Sequence, residues 1–236
     1  QCRELLVEAG YSNEEADLKR LRLQDSLGSL EASAQWRRGE ESVAFRVTSS
    51  ADLRSAAEVL LDSDALREVV FYERGPGLAL EGTLFFGETA AGMARPVDLR
   101  GEIHSPRFTS RGEVFEELRA SFGVNGQGIY VRDGLLRHKT GTLALQVLVH
   151  EEQGLRYRAD LQMDPAAFKP CVERPQTRAL IERFKFERDS QIRVHLEGRG
   201  PTSDFADCRN TGQGELTAVS HLGVPFEKLE GGFEFQ

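Results

Sequence analysis

The chain has 236 residues, with 30 Lys and Arg against 38 Asp and Glu, and its formal net charge is −8 at pH 7. Because binding to nucleic-acid phosphates needs a surplus of basic side chains, this balance argues against a nucleic-acid partner. The longest dense apolar stretches are far shorter than the roughly 20 residues that span a bilayer. Three cysteines without CxxC spacing are too few for a disulfide scaffold. The length predicts one large domain or two small ones.

Strands with one apolar side and one polar side are predicted along most of the chain. Apolar residues occupy every second position in segments 30–36, 43–47, 97–103, 143–149, 155–163 and 192–196. Successive side chains of a strand point to opposite faces, and strands with one wet face are typical of antiparallel sheets. Gly39 and Gly154 lie in connections that are short enough for hairpins. The pattern therefore predicts a mainly β, antiparallel fold.

Helical segments are few, and they interrupt the predicted strands. Capping side chains before apolar residues at helical spacing predict a helix over residues 51–62. Asp164 followed by Pro165 begins a second insertion over residues 165–184. Two further prolines divide this insertion, so we expect a short turn of helix and then a longer helix.

A repeat of about 112 residues is the most informative feature of the sequence. Residues 112–122 align with residues 223–233 without a gap, at an offset of 111 (223 − 112), and match at Gly, Phe, Glu, Leu and Phe. In both halves of the chain a predicted hairpin is followed by a predicted helix, then by Glu-Arg and then by Glu-Gly. We therefore predict two repeat units over 1–127 and 128–236, the second truncated, that share one continuous sheet. The start without Met and the strand-like end predict a segment of a longer protein.

Two segments of this repeat resemble one family. Residues 214–235 include Gly-Val-Pro-Phe-Glu-Lys-Leu-Glu-Gly-Gly-Phe, and residues 122–136 pass through a glycine turn into an Asp-Gly-Leu-Leu strand. In both, the chain resembles the AsmA-like and TamB-like proteins of Gram-negative envelopes, and the resemblance covers most of its length. The resemblance implies an elongated, U-shaped antiparallel β-groove (a β-taco) that is apolar inside and polar outside.

The resemblance also implies a function and a location. Proteins of this family look like bridges that move phospholipids between the inner and outer membranes and support outer-membrane assembly. On this basis the chain is expected to be a non-catalytic, periplasmic segment of a protein anchored in the inner membrane. Its expected partners are phospholipid acyl chains, adjacent repeat units of the same chain and other envelope proteins.

The apolar strand positions form the candidate site, because an acyl chain needs a continuous dry surface. The residues expected to line a lipid groove are Trp36, Val43, Phe45, Val47, Leu143, Leu145, Val147, Tyr157, Leu161, Ile192, Val194, Leu196 and Phe233. From alternation alone, a β-sandwich whose apolar faces pack together is the better explanation, and the long repeat and the resemblance favour the groove. The alternative function is a structural or adhesive sandwich module without a lipid ligand. A weaker alternative is a glycan-binding accessory domain that uses the polar, Arg-bearing face.

The sequence offers little catalytic chemistry. Its five histidines are scattered without a metal-ligating pair, so we expect each to be a surface or strand-face residue. The glycine-rich segment 123–128 lacks the helix of a phosphate loop and predicts a hairpin turn. Cys171 and Cys208 are either a disulfide or buried free thiols. Because no nucleophile motif is present and repeated units build an extended surface, we predict no enzyme activity, no metal and no cofactor.

Overall fold

The strands of the chain form one antiparallel sheet. The computed structural model describes residues 3–24, 26, 28–51, 69–71, 75–85, 97–126, 128–150, 152–168, 175–201 and 207–235. In chain order the strands are β1 (Glu4–Tyr11), β2 (Glu15–Gln24), β3 (Ser29–Arg37), β4 (Ser42–Ser49), β5 (Val69–Phe71), β6 (Gly77–Phe85), β7 (Val97–Ser105), β8 (Phe108–Ser110), β9 (Glu113–Asn125), β10 (Gly128–His138), β11 (Gly141–His150), β12 (Gly154–Met163), β13 (Phe184–Gly200), β14 (Arg209–His221) and β15 (Val224–Phe235). Helices α1 (Pro165–Phe168) and α2 (Pro175–Glu182) lie between β12 and β13.

Strands that follow each other in the chain lie beside each other in the sheet. The order is β1-β2-β3-β4-β6-β7-β9-β10-β11-β12-β13-β14-β15. Off this path, β5 pairs with β8, which also pairs with the start of β9. The sheet continues from β9 to β10, where the two predicted repeat units meet, through the predicted hairpin turn at 123–128. Short hairpin connections produce such a meander, since they join only antiparallel neighbours.

Two hairpin turns occupy equivalent positions in the two halves of the chain. Arg111 and Gly112 have φ values of 50° and 84° between β8 and β9, and Leu222 and Gly223 have φ values of 50° and 83° between β14 and β15. Two successive residues with positive φ characterise a type I′ turn, whose twist matches that of the paired strands. The two glycines are 111 positions apart (223 − 112), which is the offset of the predicted repeat.

Each half also has an irregularity at a similar place. In the first half Pro106 separates β7 from β8, because proline has no N–H to donate to a strand ladder. In the second half β14 stays continuous, but Ala218 has a φ of 51° and faces a register shift in β13 between Phe186 and Gln191. The Ser190 hydroxyl donates a hydrogen bond of 2.5 Å to the carbonyl of Ala218. This bond holds the bulge in place.

Cross-strand pairing separates the sheet into an apolar face and a charged face. Val147 pairs with Tyr157 on the apolar face, and the neighbouring Gln146 pairs with Arg158 on the charged face. Because the side-chain period of a strand is two, this register fixes the face of every other residue in the pair.

The exposure of the alanine side chains shows which face of the sheet is more crowded. On the charged face the exposed alanines include Ala44, Ala79 and Ala144. On the apolar face the half-buried alanines include Ala32, Ala34, Ala120 and Ala159. Since alanine has the same size at every position, the apolar face is the more crowded one along the sheet.

The mainly β, antiparallel, groove-like fold predicted from the sequence is confirmed. The described strands form a single open sheet, and within these residues no second sheet covers the apolar face. The accessible surface of the chain is 15936 Å². A compact monomer of 26.3 kDa exposes only about 10,600 Å². The β-sandwich alternative therefore does not apply to the described part of the chain.

The helical insertions have different outcomes. The second insertion is confirmed, since α1 and α2 are the predicted short turn and longer helix. Its last predicted residue, Phe184, begins β13 instead. The predicted helix over 51–62 falls almost wholly on residues 52–68, which lie outside the described residues.

Candidate functional site: the apolar face of the sheet

The thirteen residues predicted to line a lipid groove all lie on the apolar face. Neighbouring members pair directly across strands, as Trp36 does with Val43 and Val147 with Tyr157. The same register extends the face to Phe233 on β15. The structure thus brings the predicted residues together on one surface, and their role in binding stays a prediction.

Three apolar rows connect the two halves of this face across β9, β10 and β11. The rows consist of Val124, Ile129 and Val149; of Phe122, Val131 and Val147; and of Leu118, Leu136 and Leu143. The members on β9 and β10 were not among the predicted lining residues. A bulge between Val131 and Gly134 breaks the alternation of β10, so the strand does not show one apolar stripe in its sequence.

Glycine faces an aromatic residue repeatedly on the apolar face. The pairs are Phe45 with Gly82, Phe122 with Gly101, Tyr157 with Gly198, and Phe233 with Gly212. The rings of Phe122, Tyr157 and Phe233 lie so close to their glycines that a Cβ there would overlap the ring. Rings that lie across a glycine cover backbone that the missing side chain would leave open. Glycine at these positions is therefore required by close approach.

One margin of the apolar face is covered by α1. The buried members of this cluster are Leu161, Met163 and Ala167, and Leu143, Ile192 and Val194 pack against them. The Asp164 carboxylate caps α1 by accepting a hydrogen bond of 2.8 Å from the backbone N–H of Ala166. Leu161, predicted to line the groove, is only 9% exposed and belongs to a packed core under α1.

Other parts of the apolar face remain open. Ile129 on β10 is 52% exposed, Leu84 on β6 is 41% exposed, and Leu23 on β2 is 40% exposed. On β1, Leu5 and Val7 are each more than half exposed. Because Leu5 and Leu23 pair directly across β1 and β2, their exposed side chains form one apolar patch at this edge of the sheet.

A buried histidine lies in an aromatic cluster beside the turn from β10 to β11. Phe108 and Phe115 stack with ring centroids 5.4 Å apart, and His138 lies edge-on to Phe115 at 5.7 Å. His138 is 3% exposed and ends β10, so of the two expected positions, surface or strand face, it occupies the strand face. It lies two residues after Leu136 and therefore on the same, apolar face of β10. Its Nδ1 contacts the Thr140 hydroxyl at 2.8 Å, and its Nε2 lies 3.7 Å from a Glu113 carboxylate oxygen.

Ion pairs between neighbouring strands occupy much of the charged face. Arg46 pairs with Glu81 at 3.0 Å, and Lys228 bridges Glu215 and Glu230 at 3.0 and 2.6 Å. The hydrogen bond between Lys228 and Glu230 raises the pKa of Lys228 and lowers the pKa of Glu230. Exposed pairs of this kind add little to stability, and their main effect is to keep this face charged and wet.

Asp160 on the charged face is held by two neighbouring side chains. His195 Nδ1 lies 2.6 Å from Asp160 Oδ1, and Arg158 lies 3.3 Å from Asp160 Oδ2. The hydrogen bond with His195 is the main cause that holds the pKa of Asp160 below its ordinary value, against a smaller opposing effect of burial. The arrangement is a surface network without an adjacent nucleophile among the described residues.

Three further features bear on this site: metal-ligand clusters, membrane-spanning helices and the cysteines. Within the described ranges, no three His, Cys, Asp or Glu side chains come together in a geometry that could hold a metal ion. No helix in the described part of the chain is both long enough and apolar enough to cross a membrane. Cys208 is fully buried, and Cys171 lies outside the described residues, so the choice between a disulfide and free thiols is untested.

No family model, curated protein or solved structure matches this chain. The functional argument therefore depends on the physical properties of the sheet. These are a continuous apolar face, one margin covered by a helix, and a charged face on the opposite side.

Proposed function

We infer that the chain binds phospholipid acyl chains on its open apolar face and serves as a non-catalytic segment of a lipid conduit of the AsmA-like type. The observation that carries this proposal is an apolar face that runs from β1 to β15 on one sheet and that the described residues leave largely uncovered. The proposal places the chain in the periplasm, between the inner and outer membranes, where it supports outer-membrane assembly. It follows the resemblance of residues 122–136 and 214–235.

The energetics favour binding without specific contacts. Burial of apolar area contributes roughly 25 cal/mol per Å², so an acyl chain that buries about 200 Å² gains about 5 kcal/mol. The apolar rows across β9, β10 and β11 consist of aliphatic and aromatic side chains without ionised groups. Such a surface distinguishes poorly between acyl chains, which suits the passage of mixed phospholipids.

The two margins of the apolar face lie at opposite ends of the strands, and they differ in how far their side chains are covered. At α1 the apolar side chains are already packed, with Met163 at 2% exposure. At the opposite ends of the strands, Ile129 and Leu84 are exposed. An acyl chain is therefore expected to enter from the exposed margin and to lie along the sheet beside α1, with its headgroup in water.

Native mass spectrometry of the purified chain, with extraction of bound lipid, tests the proposal. We expect phospholipid to remain bound to the wild type. Val147→Glu places a charge on the open apolar face and is expected to remove the lipid while the chain stays folded. Gln146→Glu adds the same charge one residue away on the opposite face and is the matched control, with lipid retained.

Two results would contradict the proposal. The first is that the folded wild type carries no lipid, even after incubation with phospholipid vesicles. Equal lipid content in the Val147→Glu and Gln146→Glu variants would show that any bound lipid lies elsewhere.

A further inference from the structure

Three arginines stand side by side on neighbouring strands of the charged face. Arg156 on β12 pairs with Arg199 on β13, and Arg199 pairs with Arg209 on β14. Directly opposed residues of an antiparallel pair have Cβ atoms about 5 Å apart, and like charges at this spacing repel each other. Such a row stands out in a chain whose net charge is −8.

Carboxylates neutralise only one end of this row. Glu234 on β15 forms an ion pair with Arg209. Arg156 and Arg199 have no carboxylate partner among the described residues, and the same holds for Arg132 on β10. Within the described part of the chain, two adjacent guanidinium groups of the row and a third nearby are therefore without a compensating carboxylate.

These three arginines line one recess of about 570 Å³ between β10 and β13. Arg158 lines it as well, but this side chain is paired with Asp160 at 3.3 Å. The acidic residues that line the recess are Asp133 and Glu197, and Glu197 lies 3.6 Å from Nε2 of His195. Four arginines against two carboxylates give the recess a positive charge.

The bulge of β10 shapes one side of this recess. The Tyr130 ring lies across Gly123 on β9, and the Arg132 guanidinium stacks on that ring at 4.4 Å from its centroid. Next to it, the register shifts across 131–134, and Asp133 has a φ of 52°. A bulge re-aims side chains, so the adjacent Arg132 and Asp133 both line the recess.

We propose that this recess binds a phosphate group. A guanidinium presents a planar fork of donors that matches the oxygens of phosphate. A phosphate between Arg156 and Arg199 converts one repulsion into two attractions. A phospholipid whose acyl chains lie on the apolar face cannot place its headgroup on the opposite face of the sheet. The site is therefore independent of the acyl-chain binding proposed above.

Thermal unfolding in inorganic phosphate tests this site. The purified chain is titrated with sodium phosphate and, at matched ionic strength, with sodium chloride. We expect a phosphate-specific rise in the unfolding temperature of the wild type, and no such rise in Arg199→Gln. Arg119→Gln is the matched control and keeps the rise, because Arg119 is an exposed arginine that faces His104. Without phosphate, Arg199→Gln is expected to have a higher unfolding temperature than the wild type, since the repulsion between Arg199 and Arg156 is removed.

Two outcomes overturn the proposal: no phosphate-specific rise in the wild type, or an equal rise in Arg199→Gln. If Arg199→Gln does not fold, Arg156→Gln takes its place with the same expectations. Once phosphate binding is established, sedimentation with phosphatidylglycerol or phosphatidylcholine vesicles separates the sources of the phosphate. Retention on phosphatidylglycerol vesicles that Arg199→Gln abolishes assigns a lipid headgroup, and no retention assigns a soluble phosphate compound.

Discussion

The ring of Phe233 on β15 lies across Gly212 on β14. In the first half of the chain Phe122 lies across Gly101 in the same way, and both residues are 111 positions earlier (233 − 122 and 212 − 101). The offset found in the sequence thus recurs as a side-chain contact on the apolar face. The division into units 1–127 and 128–236 stays a prediction.

Gly101→Ala tests whether the ring requires a glycine beneath it. A Cβ at this position meets the ring of Phe122 and a terminal methyl of Leu80, and both side chains must move. We expect the change to lower the free energy of unfolding by about 1 kcal/mol in urea denaturation. In a Phe122→Ala background the loss should shrink, because the ring that the Cβ would meet is absent and only the Leu80 methyl remains in its way. Equal losses in both backgrounds would show that the contact has no energetic effect.

Leu161→Glu and Val147→Glu place the same charge at a covered and at an open position of the apolar face. Leu161 is buried under α1, so its substitution leaves an unpaired charge in a packed core and is expected to cost several kcal/mol, on the order of 3. Val147 is half-buried, so Val147→Glu is expected to lower the free energy of unfolding by about 1 kcal/mol. Chemical denaturation followed by circular dichroism measures both. Similar losses would mean that the face is covered at Val147 too.

The alternation of residues predicts both faces of the sheet because burial acts on every second side chain. The strands at 143–149 and 155–163 carry this signal and appear as β11 and β12. The strands β1 and β2 were not predicted. Their charged residues interrupt the apolar stripe, and β2 has a register shift between Leu18 and Leu21. A bulge changes the phase of the pattern, and the sequence alone does not report where this happens.

Thr140→Val tests the junction between the turn at 139–140 and α1. The Thr140 hydroxyl lies 2.8 Å from His138 Nδ1 and accepts a hydrogen bond of 3.2 Å from the backbone N–H of Asp164. Loss of both bonds is expected to cost about 1–2 kcal/mol in the free energy of unfolding. Thr142→Val, on the charged face of β11, is the isosteric control and is expected to change little, because the described residues give its hydroxyl no hydrogen bond. Equal effects would argue against the junction.

The pair of Asp160 and His195 predicts a specific pH dependence. Because the pKa of Asp160 is lowered in the folded chain, its contribution to stability is present above the ordinary value of 3.8 and is lost as pH falls through the lowered pKa. The side chains are 50% and 37% exposed, so we expect only a few tenths of a kcal/mol, about the size of other surface pairs. Urea unfolding of wild type and Asp160→Asn from about pH 2 to pH 6 measures it. A difference that grows towards low pH would contradict this assignment.

Two features of the charged face and the aromatic cluster depend on register and are hidden in the sequence. Arg156, Arg199 and Arg209 are far apart in the chain, and only the pairing of β12, β13 and β14 places them in one row. His138 has the same phase of alternation as Leu136 and so lies on the apolar face, but only the pairing of β10 with β9 places Phe115 against it. The sequence reports periodicity within a strand, whereas these features need the phase between strands.

Site-specific photo-crosslinking of the purified chain, incubated with phospholipid vesicles, tests the central proposal most directly. A photoreactive amino acid is placed at Val147 on the apolar face and, in a separate variant, at the adjacent Gln146 on the charged face. Acyl-chain binding on the apolar face predicts a crosslink to phospholipid at position 147 and none at position 146. Crosslinks of equal yield at both positions, or none at position 147 in a folded chain, would contradict it.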